Sequence, residues 1–113
     1  MKPILIWLDD WRNPKIYLPK PALEIYDVVW CKSYEEFDDA LTSMDFPSVV
    51  FFDHDLGDSM YSGKDCAKFL IDYCMKTGNK LPEYRSQSMN PIGKKSILSL
   101  LDSYKKIEFL TEK

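Results

Sequence analysis

Two continuous apolar runs, Ile4 to Leu8 and Val49 to Phe52, each stop abruptly at acids: Asp9-Asp10 after the first, Asp53-His54-Asp55 after the second. A strand that is apolar at every position is buried on both faces, the habit of parallel sheets covered by helices. Val28 to Cys31 is a third such run, and Pro82 to Ser88 a weaker, more polar fourth. Between them lie helical patterns. Ser33 and Glu36 make a capping-box pair ahead of Tyr34, Phe37, Leu41 and Met44 on one helical face. Ser62 and Asp65 open a helix expected over 63–77, with Cys66, Phe69, Leu70, Tyr73 and Cys74 at helical spacing and Gly78 as a left-handed stop. Asn90-Pro91 is a cap and first-turn pair for a helix carrying Ile97, Leu98, Leu101 and Tyr104, and Ile107 to Leu110 reads as a short last strand.

Strands alternating with amphipathic helices imply β-α-β units with right-handed crossovers, hence an α/β three-layer sandwich around a parallel sheet of four or five strands. The flavodoxin-like order 2-1-3-4-5 would make the first and third strands neighbours. The first connection is the exception. Pro14, Pro19 and Pro21 lie within it, so an irregular crossover is expected, with at most a short helix near Ala22 to Tyr26.

The chain has 113 residues, which suits one domain spanning 1–113 with a core that needs no staples. Three cysteines without a C-x-x-C pair, and a single histidine, argue against a structural zinc site and fit a reducing cytoplasm. Fifteen basic residues against 18 acidic ones, with no basic block, argue against a broad nucleic-acid surface, although one RNA end could still enter a small pocket. The first apolar run is too short for a signal sequence or a membrane span, so a soluble protein with no membrane partner is expected.

In an open parallel sheet, ligands bind beyond the carboxyl ends of the strands, where this chain concentrates its acids and hydroxyls. Adjacent first and third strands would bring Asp9, Asp10, Asp53 and Asp55 together, and like charges that close need a cation or a shifted pKa. Hard oxygen ligands suit Mg²⁺ or Mn²⁺, which would bind a phosphate oxygen in turn. His54 lies between two aspartates as a candidate general acid. Ser88, Asn90, Gly93 and Lys94 surround a helix N-terminus that suits phosphate, and Arg12 could pair with phosphate or neutralise Asp9 or Asp10. The alternative for the acids and for Asn90 is plain loop and cap chemistry. The other aromatics read as core. Trp11, in the acidic loop, is the one placed to stack on a base.

The segments Leu8-Asp9-Asp10-Trp11-Arg12-Asn13-Pro14, Phe52-Asp53-His54-Asp55-Leu56-Gly57 and Ser88-Met89-Asn90-Pro91-Ile92-Gly93 resemble the signatures of the cyclic-phosphate processing receiver-like domain family. That pattern is approximately LDD-x-R-x-P, F-D-H-D-L-G and H-S-x-N-P-x-G. The resemblance implies a receiver-like fold and metal-dependent processing of cyclic phosphates on RNA ends or cyclic nucleotides. It makes Asp9 and Asp10 the metal-binding acids, Asp53 the phospho-acceptor position and Ser88 the hydroxyl that meets the phosphoryl group. His54 is a residue that signalling receivers normally lack. Gln87 stands where the pattern has histidine, and Lys113 is a late candidate for the receiver lysine. Three readings follow: an enzyme with Asp53, His54 and Asp10 as catalytic groups, a degenerate module that binds a phosphorylated ligand or a protein without chemistry, or, least favoured, a signalling receiver that takes a phosphoryl group on Asp53.

Overall fold

The computed structural model describes residues 1–57 and 59–111; Lys113 lies outside the described residues. In chain order the elements are β1 (Ile4–Leu8), α1 (Pro14–Tyr17), α2 (Lys20–Ile25), β2 (Asp27–Cys31), α3 (Tyr34–Ser43), β3 (Val49–Phe52), α4 (Gly63–Thr77), β4 (Glu83–Ser86) and α5 (Pro91–Thr111). All strand pairs are parallel and the order is β2-β1-β3-β4, with the buried β1 and β3 at the centre and the more exposed β2 and β4 at the edges. Leu8 is level with Cys31 on one side and Phe52 on the other, so the acids that follow β1 and β3 emerge at the same sheet edge.

The two faces of the central strands take alternate residues. Ile6, Leu8, Val50 and Phe52 pack with Phe37 and Leu41 of α3, Leu70 of α4 and Ile97 and Leu101 of α5. Leu5, Trp7 and Val49 face the other way, against Leu18 and the half-buried Ala22 and Leu23 of the first crossover. Each large apolar side chain buried in this way contributes about 1.5–3 kcal/mol. The fold is an α/β sandwich, heavily covered on one face and thinly on the other.

The caps behave largely as the sequence suggests. Ser33 Oγ accepts from the Glu36 amide at 3.1 Å, but Glu36 reaches back to the Lys32 amide at 2.9 Å, one residue earlier than a capping box requires. Asp65 accepts from the Ser62 amide at 2.7 Å, and Gly78 ends α4 in the left-handed region at φ 78°.

Two expectations need correction. Ile107 to Leu110 is not a strand, because α5 continues to Thr111 and the sheet has four strands. The helical face marked by Ile97, Leu101 and the half-buried Tyr104 persists to Glu108, whose carboxylate accepts from the Leu81 amide at 2.9 Å and ties the last turns to the loop before β4. The first crossover is also more helical than expected, since Pro14 and Pro21 occupy first-turn positions, where proline starts a helix rather than breaking one. Among the described residues no helix is long and apolar enough to cross a membrane.

The three cysteines are free and buried, Cys31 and Cys74 at 1% exposure and Cys66 at 0%. Burial pushes the Cys31 thiol up to about 12 and the Cys74 thiol up to about 11, with Cys66 raised as well. Because the thiolate is the reactive form, the native chain is expected to resist a thiol-disulfide dye near pH 8 and to react fully once denatured. Rapid stoichiometric labelling of the native chain would contradict this packing.

Candidate functional site

β1 and β3 deliver their acids to one spot: one carboxylate oxygen from each of Asp9, Asp10 and Asp53 lies within 4.8 Å of the others. The three are not equivalent. Asp9 is wholly buried and its carboxylate accepts four bonds: from the Trp11 and Arg12 amides at 3.1 and 2.9 Å, from Arg12 Nη1 at 3.0 Å, and from Gln87 Nε2 at 3.2 Å. Its lone pairs are committed, so it braces the loop. Among the described residues the Asp53 carboxylate accepts only the His54 amide, at 2.9 Å, and it faces Arg12 Nη1 at 3.7 Å. Asp10 is half-buried, with Oδ2 3.2 Å from where a side chain on Gly57 would begin. Gly57 has φ 64°, so the turn that makes room for this oxygen favours glycine.

Burial, reinforced by the charge of Asp9, pushes the Asp53 carboxyl up to about 6, against the opposing pull of Arg12 and the His54 amide. Arg12 is itself buried, and it is the counter-charge for Asp9 and Asp53. Its guanidinium lies 4.7 Å from the centre of the Trp11 ring.

Two tryptophans the sequence assigned to the core also hold the acidic loop. Trp7 Nε1 donates to the Arg12 carbonyl at 2.8 Å, and Trp30 Nε1 donates to the Asp9 carbonyl at 2.7 Å. Nothing in their spacing signals this role, because an indole N–H finds its acceptor only once the strands pair. Gln87 joins them from the end of β4, donating also to the Leu8 carbonyl at 2.9 Å, while its buried Oε1 has no partner among the described residues.

Neither His54 nor Asp55 belongs to the cluster of three acids. His54 Nδ1 is 3.1 Å from Asp55 Oδ1, so a proton on Nδ1 would be shared with that carboxylate and Nε2 is the ring nitrogen left without this contact. Asp55 Oδ2 accepts from Asn90 Nδ2 at 3.4 Å, so the exposed Asp55 links His54 to the β4–α5 loop. The imidazole packs on Gly93, where a Cβ would come within 2.3 Å of its Cγ.

Of the residues expected to bind phosphate, Ser88, Asn90, Gly93 and Lys94 lie on this loop and the first turn of α5, where much of the hydrogen bonding is already used, while Arg12 lies with Asp9 and Asp53. Asn90 Oδ1 accepts from the Gly93 amide at 3.0 Å, and Ser88 Oγ accepts from the Asn90 amide at 3.1 Å, which leaves the serine proton available to donate. Ser88 is buried and Lys94 is exposed. Gly93 and Asn90 therefore act first as packing partner and helix cap.

Three carboxylates this close, one with its charge disfavoured and an amide oxygen left without a partner nearby, suit a hard divalent cation. Asp10 and Asp53 have the open lone pairs to hold it.

A search of curated proteins finds no match. Among solved structures the chain is similar to the signal receiver domain of a protein described as a Luxo repressor from Vibrio parahaemolyticus: 15% identity, TM-score 0.53, covering 100% of this chain and 99% of that one. At that identity the likeness speaks for the fold. The family described as the cyclic-phosphate processing receiver domain matches residues 4–103, which include all three acidic and hydroxyl motifs. This chain therefore belongs to the cyclic-phosphate processing receiver domain family.

Proposed function

We propose that the acidic edge is a metal-dependent phosphoester-processing site that acts on a cyclic phosphate, carried by an RNA end or a cyclic nucleotide. The observation that carries this reading is the convergence of Asp9, Asp10 and Asp53 beside one buried arginine. A bound Mg²⁺ or Mn²⁺ would supply Lewis-acid polarisation of a phosphate oxygen. Asp10 and Asp53 would hold that cation, and Asp9 braces the loop and aims Arg12. Arg12 shares its guanidinium with the phosphate, to which Ser88 donates its proton. His54, oriented by Asp55, exchanges a proton through Nε2. The low positive charge of the chain suits a single RNA end or a small nucleotide, and its three free thiols suit a reducing cytoplasm.

One observation favours a second reading, a phosphate-binding module without turnover. Gln87 occupies the position where the resemblance places histidine, and its amide, which donates to Leu8 and Asp9, cannot serve as a general acid or base.

Phosphorus NMR with 2′,3′-cyclic and 3′,5′-cyclic nucleotides and short RNAs ending in a cyclic phosphate separates the two. The enzyme reading expects a new monoester resonance with Mg²⁺ or Mn²⁺ that is absent with chelator. Ligand binding without any new resonance across the panel would overturn it in favour of the module.

A further inference from the structure

The loops at the carboxyl edge of the sheet surround an acidic floor, yet they raise large apolar side chains into water: Trp11 is 63% exposed, Met60 89% and Met89 80%. Exposed apolar groups scattered singly need no explanation, but three on the loops of one edge do. Trp11 is the most specific of them. Its amide is fixed by Asp9 at 3.1 Å, Arg12 lies against its ring, and Tyr17 meets it edge-on with centroids 6.5 Å apart at 85°. The indole is held by its backbone and by these two neighbours, and most of the residue still meets solvent.

A single guanidinium separates this ring from the acids, since Arg12 spans from 4.7 Å of the ring centre to 3.0 Å of Asp9 and 3.7 Å of Asp53. An inorganic phosphate or a bare sugar phosphate would leave such a ring unused. A nucleotide would not, because every base has a π-face and stacking tolerates any base.

We infer that Trp11 is a base-stacking platform, so that the ligand of this site is a base-bearing phosphate and Trp11 sets the preference for it over base-free phosphates. This rests on the phosphate reading above. It adds a residue that lies between the fixed positions of the L-D-D-x-R motif.

The test uses the full chain with Mg²⁺, calorimetry, and two unreactive probes: adenosine 3′-monophosphate and the base-free glycerol 2-phosphate. Wild type is expected to bind the adenosine probe roughly 5- to 150-fold more tightly, the range that stacking of one base supplies. The adenine protons should shift upfield in the proton spectrum from the indole ring current. Trp11→Ala should bring the adenosine probe down to the level of glycerol phosphate, leaving glycerol phosphate unchanged, while Trp11→Phe retains most of the preference. An unchanged preference in Trp11→Ala overturns the inference while leaving the phosphate site standing. Equal weakening of both probes also overturns it, because Trp11 would then act only by holding Arg12. Failure of wild type to bind either probe overturns the phosphate reading and this inference together.

Discussion

Asp53→Asn is expected to make the metal-free protein more stable near neutral pH while abolishing its response to Mg²⁺. The Asp53 carboxyl is 4% exposed and is pushed from its ordinary 3.8 up to about 6. The folded chain therefore holds this proton more tightly than the unfolded chain, and the stability gained from it is complete below about pH 4 and lost as pH rises through about 6. Above that window the ionised group costs about 3 kcal/mol at most, since each tenfold change in proton affinity corresponds to roughly 1.4 kcal/mol. Asparagine cannot ionise but forfeits attraction to Arg12, so the expected net gain is about 1–3 kcal/mol near pH 7.5, shrinking toward zero by about pH 4. Denaturant titrations with chelator at both pH values measure it. Adding Mg²⁺ should raise the wild-type midpoint by mass action and leave the variant unmoved. A variant less stable than wild type at both pH values would show that Asp53 is a structural anchor.

Gly63→Ala is expected to be the most damaging small substitution near the site. Helix α4 begins against the loop after β3, with the Gly63 amide donating to the His54 carbonyl at 2.8 Å. A Cβ there would sit 1.7 Å from the Asp53 carbonyl oxygen and 2.7 Å from its carbon, and backbone cannot rotate aside as a side chain can. Helix propensity favours alanine by at most about 1 kcal/mol, whereas forcing the loop off the helix costs about 3 kcal/mol or more. The shift would also move Asp53 and His54, so the Mg²⁺ response should fall with stability. Gly78→Ala is the control. It has open space but φ 78°, so it should cost only about 1–2 kcal/mol with the site intact. Equal, small losses in the two variants would contradict the tight approach at Gly63.

Much of this was legible in the chain because it is written in local patterns. Buried runs that end in acids fixed both the parallel pairing and the sheet edge, and Gly78 marked the end of α4 by its conformational freedom. The last helix was misread because Ile107 to Leu110 is a short apolar run, which periodicity alone cannot divide between strand and helix. Its contact through Glu108 with Leu81 is tertiary. The same limit hid the inner workings of the site. Asp9, Asp10 and Asp53 could be named, but that Asp9 is saturated by four donors while Asp53 is not depends on Gln87, 78 positions away from Asp9, and on the fold of Arg12 back over the cluster. Gly63 carried a readable signal as the first residue of the helix expected over 63–77, where glycine is a poor helix former. Its reason, the approach of Asp53, appears only in three dimensions.

The central claim is that Asp10 and Asp53, on a loop braced by Asp9, form a divalent-cation site, and electron paramagnetic resonance of Mn²⁺ titrated into the protein tests it most directly. The predicted result is loss of free-ion signal at one site per chain, its return on adding excess Mg²⁺, and no such site in Asp53→Asn. An undiminished free Mn²⁺ signal, or binding that survives unchanged in Asp53→Asn, would contradict it.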